Sequence, residues 1–345
     1  MSPTDLNASA LPEPVAVIGA GAWGTALAAV LGRRFAHVRL WVYEADLAAA
    51  MIGSRENALY LPGVRLPGTV HPTGDLRIAL ADCPLVLFVV PSHVFRRVVE
   101  EAKSQLAPGA LIVSATKGLE AGTLATMSQI LQTVLPVGHH HHICVLSGPS
   151  FAREVALGRP TAVVAAAQHA GIAERVQRLL SGGPLRVYAG TDPLGVELGG
   201  AVKNVIAIAA GVVDGLGLGT NARAALITRG LAEMTRLGVA VGADARTFAG
   251  LAGMGDLILT ATGDLSRNRT LGKQLAMGER LEKILAASRA VIEGVNACRS
   301  VVALAERHQV DMPISRAVCR VLFDGQEPRE ALSDLMTREL RFEGE

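Results

Sequence analysis

The sequence predicts an α/β fold in its first half, built on a doubly wound parallel sheet, followed by an all-α second domain. Short runs rich in Val, Ile and Leu alternate with helical stretches up to about Asp192, and from Leu194 onward only helical periodicity remains. The length of 345 residues suits two domains, each able to bury its own core. We therefore expect a flexible tail over residues 1–14, a first domain over 15–192 and a helical domain over 193–345.

Six short segments of the first half are strand candidates because they are rich in β-branched and other apolar residues. Most are apolar throughout rather than alternating, which is typical of strands covered on both faces. Helical stretches such as Thr25–Arg34, Val94–Gln105 and Ile172–Leu180 lie between them and indicate βαβ units. The strand candidates are Val15–Ile18, Val38–Val42, Leu85–Val90, Leu111–Ser114, Ile143–Ser147 and Thr161–Ala165.

The second half is predicted to be helical, with no convincing strand and no repeat of fixed period. The candidate helices are Gly195–Val213, Arg223–Gly238, Arg246–Ala252, Arg267–Met277, Val295–Arg307, Ile314–Phe323 and Pro328–Thr337.

The composition argues against several classes of protein. Half of the residues are hydrophobic and 19% are charged, which excludes general disorder. Aromatic residues make up only 3%, and 33 basic residues balance 31 acidic ones, so a nucleic-acid partner is not expected. The four cysteines form no CxxC pair, so we expect reduced thiols and no metal site.

We expect neither a secretory signal nor a membrane span. The N-terminus lacks the basic start and apolar core of a secretory signal, and no uninterrupted apolar run approaches the ~18 residues of a membrane span. We therefore expect a cytoplasmic protein without membrane insertion. The four histidines His139–His142 are interpreted as a solvated loop, because consecutive side chains cannot all converge on one ion.

A glycine-rich turn follows the first strand candidate. In VAVIGAGAWGTALA, the residues Gly19, Gly21 and Gly24 have G-x-G-x-x-G spacing between a strand and a helix. The first glycine permits a tight turn, the second lets the backbone approach a pyrophosphate, and the third lets helix and strand pack closely. The helix N-terminus then offers unpaired N–H groups to phosphates. This context predicts a dinucleotide site in a Rossmann-like domain.

The end of the second strand candidate bears on the choice of dinucleotide. In LWVYEAD, Glu44 lies about 20 residues after the last glycine of the turn, where an acidic group accepts hydrogen bonds from the adenosine ribose. Glu44 favours NAD, but NAD or NADP is left open as the cofactor.

A lysine inside an apolar helix is the first candidate for chemistry. On a helix, Lys203 overlies Gly199 and Gly200, and Asn204 lies beside it, so we expect an open space for a small ligand above the glycines. Partial desolvation would lower the pKa of Lys203 toward the working pH, as a proton-transfer group requires. The alternative is a lysine whose head reaches solvent past an apolar stem.

A second polar cluster is SRNR, at residues 266–269. Ser266 is a good N-cap, and it places Arg267, Asn268 and Arg269 in the first helical turn, where the helix dipole disfavours cations. Their presence is explained if the helix start grips a phosphate; two solvated surface arginines are the alternative. Asp256 is either an orienting carboxylate or an ordinary turn aspartate.

Further candidates lie where strands end, because ligands bind outside the carboxyl ends of strands in doubly wound sheets. Lys117 follows the strand candidate Leu111–Ser114 in SATKG, and Gly148 and Ser150 follow the next candidate, Ile143–Ser147, in SGPSF. Pro91–Phe95 would form an apolar wall for a nicotinamide. A dinucleotide turn, a proton-transfer lysine and an anion-binding helix start together describe hydride transfer on a small phosphorylated alcohol.

These motifs, among them GAGAWGTALA, SATKGLE, GGAVKNV and SRNR, resemble the bacterial type of the NAD(P)-dependent glycerol-3-phosphate dehydrogenase family. The resemblance runs from about residue 15 to residue 340, with the motifs in order at matching spacing. It implies interconversion of sn-glycerol 3-phosphate and dihydroxyacetone phosphate, usually in the reductive direction that supplies phospholipid synthesis.

The resemblance also implies the role of each site residue, with Lys203 as the general acid/base. The residues expected to bind substrate are Lys117, Gly148, Ser150, Lys203, Asn204, Asp256, Ser266, Arg267 and Asn268. The residues expected to bind the cofactor are Gly19, Gly21, Trp23, Gly24, Tyr43, Lys117, Ala152, Arg267, Val291 and Glu293.

Two departures from the family pattern concern the cofactor. Ala22 stands where the family often has a serine, and Tyr43 stands where many members carry Arg or His, which weakens the inference of a grip on a 2′-phosphate. A homodimer is the assembly considered, although the sequence does not fix it. The alternatives are another hydroxyacid dehydrogenase, disfavoured because position 207 is Ala rather than Asn, and a non-catalytic NAD(H)-binding protein.

Overall fold

The structure is a computed structural model that describes residues 13–288, 290–340 and 342. Most of the predicted tail over residues 1–14 therefore lies outside the described residues. The chain divides into two compact units, one of residues up to 117 with 127–196, the other of 118–126 with 197–345. The predicted domain boundary after residue 192 stays a prediction.

The first unit contains an eight-stranded sheet in the order β3-β2-β1-β4-β5-β6-β7-β8. All neighbouring strands pair in parallel except β6 and β7, which are antiparallel, so the predicted parallel sheet has one exception. The chain between β6 and β7 holds only a five-residue helix, whereas a parallel return needs a full crossover. The strands are β1 Val15–Ile18, β2 Val38–Trp41, β3 Val70–Thr73, β4 Leu85–Phe88, β5 Leu111–Ser114, β6 Ile143–Ser147, β7 Thr161–Ala166 and β8 Leu185–Gly190.

The order in which successive strands are added to the sheet reverses at β1, which is hydrogen-bonded in parallel to β2 on one side and to β4 on the other. Val15 is the register partner of both Val38 and Leu85. This is the switch point of a doubly wound sheet, so β1 and β4 end side by side at the edge where ligands bind. Helices of this unit are α1 Ala22–Leu31, α2 Ala45–Ser54, α3 Leu76–Leu80, α4 Phe95–Ala102, α5 Met127–Val134, α6 Ala152–Ala156 and α7 Ala170–Leu180.

The second unit is helical over its described residues. Its helices are α8 Pro193–Gly215, whose first turn belongs to the first unit, α9 Gly219–Ala240, α10 Ala245–Phe248, α11 Asp256–Thr262, α12 Arg267–Ala276, α13 Leu281–Ala287, α14 Glu293–Arg307, α15 Pro313–Phe323 and α16 Pro328–Met336. A π-helical turn, Leu251–Gly255, precedes α11. The predicted helix Arg246–Ala252 is therefore too long, because the α-helix ends at Phe248.

Helices α8 and α12 pack with their backbones almost in contact. A Cβ atom on Gly211 would lie 2.0 Å from the Arg269 carbonyl oxygen, and one on Gly272 would lie 2.0 Å from that of Ile208. Only glycine fits such positions, and the approach fixes the start of α12 against the middle of α8. By length and composition α8 could cross a membrane, but 89% of its apolar window is buried in the protein.

A buried carboxylate caps the N-terminus of α15. Both oxygens of Glu233, on α9, accept hydrogen bonds from the Ile314 and Ser315 backbone N–H groups, at 2.5 and 3.1 Å, and the Ser315 hydroxyl donates at 2.9 Å. Burial raises the pKa of Glu233 to about 7, against the opposing effect of these hydrogen bonds.

The histidine run does not form a loop as predicted. His139–His142 lie in the 3₁₀ helix Val137–His142, and none of them is fully buried. His141 Nδ1 lies 2.9 Å from Nε2 of His169, which precedes α7. Within the described residues, no group of three or more His, Cys, Asp or Glu side chains is arranged to hold a metal ion.

Candidate active site

The glycine turn joins β1 to α1 at the switch point of the sheet. Gly19 has a φ of +116°, and a Cβ there would lie 2.7 Å from the Val89 carbonyl oxygen. A Cβ on Gly24 would lie 1.9 Å from the Gly19 carbonyl oxygen. Gly19 and Gly24 are therefore needed for the turn and for close packing, as the spacing predicts.

The space above Gly21 is open, which is the feature a pyrophosphate requires. No atom lies within 4 Å of a Cβ built on Gly21, and this residue starts α1 without a side-chain cap. Within the described part of the chain, the Gly21 N–H has no hydrogen-bond partner. An uncapped helix N-terminus with free N–H groups beside open space fits a dinucleotide phosphate.

The residues that follow β2 are the ones predicted to bind the ribose. Glu44 directly precedes α2, and its Oε1 accepts a hydrogen bond of 2.7 Å from the Tyr60 hydroxyl, which raises the pKa of Tyr60 to about 12. Tyr43 is exposed, with the Arg97 guanidinium 5.8 Å from its ring centre. Trp23, on α1, is half-buried against the core of the unit.

Three of the predicted substrate residues meet at the end of β5 and β6. The Gly148 carbonyl oxygen accepts hydrogen bonds from Lys117 Nζ at 3.2 Å and from the Ser150 hydroxyl at 2.9 Å. Gly148 itself has a φ of +144°, and a Cβ there would lie 2.9 Å from the Val163 Cα. Ala152 begins α6, two residues after Ser150. The structure thus brings together residues that the sequence places 31 positions apart.

Lys203 is buried in the second unit and paired with a carboxylate. Its Nζ lies 2.6 Å from Asp256 Oδ1 and 2.8 Å from the Thr260 hydroxyl, and only 6% of Lys203 is exposed. Asp256 and Thr260 lie one turn apart on α11, and the Thr260 hydroxyl also approaches the Asp256 backbone carbonyl at 2.6 Å. The Asp256 carboxylate is thus a counter-charge for the Lys203 ammonium, and the lowered pKa expected from sequence stays a prediction.

Of the two interpretations of Asp256, the structure supports the orienting carboxylate. Asp256 is 1% exposed and opens a helix rather than a surface turn. The sequence alone did not indicate Thr260. Its spacing of four from Asp256 is the signal that could have found it, but that helix was not among those predicted.

The expected open space above Gly199 is wrong. A Cβ on Gly199 would lie 2.5 Å from the Ala252 carbonyl oxygen, because the π-helical turn packs directly against α8 there. The missing side chain allows two backbones to approach, and it does not leave room for a ligand. This approach brings the start of α11, and with it Asp256, to Lys203.

The SRNR stretch divides into an exposed and a buried arginine. Ser266 is the N-cap of α12 as predicted, and its hydroxyl accepts from the Arg269 N–H at 3.2 Å. Arg267 is exposed, with no hydrogen bond or ion pair to other described residues. Arg269 is buried between Asp214 and Asp264, at 2.6 and 2.7 Å. The anion argument therefore rests on Arg267, because a structural ion pair accounts for Arg269.

Asn204 and Asn268 form one hydrogen-bonded chain across three helices. Asn268 Nδ2 donates to Asn204 Oδ1 at 2.9 Å, and its Oδ1 accepts from the Gly294 N–H at 2.9 Å. Asn204 Nδ2 donates to the Gly200 carbonyl at 3.1 Å. These contacts hold Asn268, the residue after Arg267, and Asn204, the residue after Lys203, in one place.

The two remaining predicted cofactor residues lie in the second unit. Glu293 begins α14, directly before Gly294, and Val291 lies two residues earlier; both are half-buried. The carboxylate of Glu293 interacts electrostatically with the Arg267 guanidinium. Their proposed contacts with a dinucleotide stay predictions.

A glycine turn of G-x-G-x-x-G spacing at the switch point of a doubly wound sheet, followed by a helical unit with a buried lysine, is typical of a class: the Rossmann-type dehydrogenases with a helical second domain. Comparison with known proteins gives the family. The models described as the N-terminus and the C-terminus of NAD-dependent glycerol-3-phosphate dehydrogenase match residues 14–173 and 192–333.

Individual relatives agree with the family models over nearly the whole chain. The glycerol-3-phosphate dehydrogenase (NAD(P)+) of Geobacter sp. (strain M21) is 54% identical, covering 97% of this chain and 100% of its own. The crystal structure of glycerol-3-phosphate dehydrogenase from Coxiella burnetii is 41% identical with a TM-score of 0.90, covering 95% and 99% of the two chains. The yeast enzyme of the same name is 26% identical with a TM-score of 0.79, covering 95% and 100%.

The chain belongs to the NAD-dependent glycerol-3-phosphate dehydrogenase family. The predicted family, the fold class and the assignment as an NAD(P)-dependent oxidoreductase are thereby confirmed.

Proposed function

We propose that this protein interconverts dihydroxyacetone phosphate and sn-glycerol 3-phosphate, with Lys203 as the general acid/base. The observation that carries the proposal is the buried contact of Lys203 Nζ with Asp256 and Thr260, in a chain of this family. A lysine held by a carboxylate and a hydroxyl has a fixed direction, and a proton-transfer group requires this.

The dinucleotide, NAD or NADP, supplies or accepts the hydride when it is bound. Gly19, Gly21 and Gly24 would hold its pyrophosphate, and Glu44 would accept hydrogen bonds from its ribose. Further proposed contacts come from Trp23, Tyr43, Lys117, Ala152, Arg267, Val291 and Glu293.

In the reductive direction, the Lys203 ammonium gives a proton to the substrate carbonyl oxygen, which becomes the hydroxyl oxygen of the product. In the oxidative direction, the neutral amine takes that proton back. Asp256 keeps the Lys203 side chain oriented and balances its positive charge when the proton is present. Proton transfer by such a group typically contributes about 10²- to 10⁴-fold to the rate.

The phosphate of the substrate is assigned to the start of α12. Arg267 is exposed there and its guanidinium suits a phosphate, while Asn268 is fixed by Asn204 and Gly294. The other residues proposed to contact the substrate are Ser266, Lys117, Gly148 and Ser150.

The test is an assay with purified protein, NADH or NADPH, and dihydroxyacetone phosphate, following the loss of reduced-cofactor absorbance. We expect turnover with the phosphorylated ketone and far less with dihydroxyacetone, and oxidation of sn-glycerol 3-phosphate but not of its enantiomer. No turnover with either cofactor would refute the proposal.

The proposed setting is a small-molecule enzyme of the cytoplasm, without a nucleic-acid partner or membrane insertion, and a homodimer in solution. Its product would supply phospholipid synthesis. Expression should then restore growth, without added glycerol, to a bacterium that cannot make its own glycerol 3-phosphate. Failure of an expressed, active protein to restore growth would contradict this role.

A further inference from the structure

A fully buried asparagine lies behind the phosphate-binding turn, far from it in sequence. Asn57 is 0% exposed and lies between α2 and a short turn at residues 58–60. Its Nδ2 donates to the Ala20 carbonyl oxygen at 2.7 Å and to the Thr25 hydroxyl oxygen at 2.8 Å. Its Oδ1 accepts from the Tyr60 N–H at 3.0 Å.

The Ala20 carbonyl is held from two directions. Besides Asn57, the Thr25 hydroxyl donates to the same oxygen at 3.2 Å, and Thr25 is also fully buried. Ala20 is the residue between Gly19 and Gly21 in the glycine turn. Two buried donors therefore fix the orientation of the peptide group that joins Ala20 to Gly21.

The orientation of this peptide decides where the Gly21 N–H points. In a planar trans peptide, the carbonyl and the following N–H point in opposite directions. Because the Ala20 carbonyl is held inward by Asn57 and Thr25, the Gly21 N–H is directed outward, on the open side of the turn. No atom lies within 4 Å of a Cβ built on Gly21.

We propose that Asn57 is a positioning residue for dinucleotide binding, which directs the Gly21 N–H at the pyrophosphate by fixing the Ala20 carbonyl. Glycines make the turn possible, but they also leave it free to rotate. Asn57 and Thr25 remove that freedom before the ligand arrives.

The same short segment supports the ribose side. The Tyr60 N–H is bound by Asn57, and the Tyr60 hydroxyl donates to Glu44 at 2.7 Å. One loop thus braces both the turn assigned to the pyrophosphate and the carboxylate assigned to the ribose. The inference rests on the dinucleotide binding of the proposed function, and the experiment separates the two.

The test measures binding of NADH and of ADP-ribose by fluorescence and calorimetry, without turnover. Asn57→Leu keeps the branched shape but removes the donor, and Thr25→Val does the same for the hydroxyl. In Asn57→Leu, the Gly21 N–H should lose its hydrogen bond to the charged pyrophosphate. Such a bond changes affinity by roughly ten- to a hundredfold, so we expect the Kd of both ligands to rise by that factor. The KM for dihydroxyacetone phosphate should change by less than about twofold, because no substrate contact is touched.

Two controls distinguish positioning from general destabilisation. Val176→Ala creates a cavity in the fully buried face of α7 and lowers the melting temperature without touching the turn. Its Kd for NADH should equal that of the wild type. Thr25→Ser keeps the hydroxyl and should restore the affinity that Thr25→Val loses, and this pair decides the question if Asn57→Leu does not fold.

An unchanged NADH Kd in both Asn57→Leu and Thr25→Val would overturn the inference, as would an equal loss in Val176→Ala. Wild-type protein that binds no NADH would instead refute the proposed function, and the inference with it.

Discussion

The glycine turn of the first unit offers backbone groups to a ligand, whereas the lysine cluster of the second unit, formed by Lys203, Asp256 and Thr260, offers side chains. In the glycine turn, the groups assigned to the ligand are backbone N–H groups, and side chains are excluded at Gly19 and Gly24 by close approaches of 2.7 and 1.9 Å. Around Lys203, they are buried side chains held by Asp256 and Thr260. Recognition by backbone N–H groups requires positions without side chains, whereas proton transfer requires a side chain that is held in a fixed place.

This difference has a consequence for mutation. The turn depends on a few adjacent residues and on braces such as Asn57, so its defects should appear in dinucleotide affinity. The lysine cluster is an ion pair taken out of water, so its defects should appear in both rate and stability.

The largest effect is expected for Asp256→Asn. The substitution leaves the Lys203 ammonium buried without its counter-charge, so the free energy of unfolding should fall by about 3–5 kcal/mol. The kcat should also fall at least tenfold, measured with saturating dihydroxyacetone phosphate. The matched control is Asp264→Asn, whose carboxylate is 93% exposed, and it should change little. A stable, fully active Asp256→Asn would show that the Lys203–Asp256 ion pair is needed for neither rate nor stability.

Arg267→Ala should raise the KM for dihydroxyacetone phosphate strongly, because a charged contact to substrate is typically worth about 2–4 kcal/mol. The slow reduction of dihydroxyacetone, which lacks the phosphate, should decrease much less than the reduction of the phosphorylated ketone, because only the proposed contact of Arg267 with the dinucleotide is lost there. An unchanged KM would remove the helix start of α12 from the site.

The stability of the second unit should decrease as the pH rises from 5 to 8. Burial raises the pKa of Glu233 to about 7 in the folded state from 4.5, so the folded protein holds its proton over a range where the unfolded chain has lost it. The stabilisation is present below pH 4.5 and is lost as the pH rises through 7, on the order of 3 kcal/mol in total. Chemical unfolding across this range should show that slope, and Glu233→Gln should flatten it. An equal slope in both proteins would contradict the assignment.

The smallest effect is expected in the first unit, for Glu44→Gln. Removing the negative charge should lower the preference for NADH over NADPH by a few-fold, because a 2′-phosphate no longer meets a carboxylate. The ratio of kcat/KM for the two cofactors measures this. A ratio that shifts toward NADH would show that Glu44 does not face the ribose.

The same contrast explains what the sequence could predict. The glycine turn is contiguous, so its spacing and its flanking strand and helix are visible within a dozen residues. Lys203 and Asp256 are 53 positions apart, and Arg269 reaches Asp214 across 55, so neither pair has a local signal. An apolar helical sequence around Lys203 indicates that its charge is buried. Which carboxylate pairs with that charge depends on how the helices pack, and the sequence does not show this.

The fold shows the same limit at the edges of the sheet. Central strands such as β4 are buried on both faces and apolar throughout, and the sequence predicts them. Strands β3 and β8 lie at the two edges. Pro72 interrupts the first, and the second alternates buried and exposed residues at its start, so both lack the continuous apolar run that was sought.

If Lys203 transfers the proton while the first unit holds the dinucleotide, one variant should separate turnover from NADH binding. In Lys203→Met, the kcat should fall by roughly 10²- to 10⁴-fold while the Kd for NADH stays within about twofold of wild type. Lys103→Met, at an exposed lysine, should change neither quantity. Near-normal turnover of Lys203→Met would exclude Lys203 as the proton-transfer group.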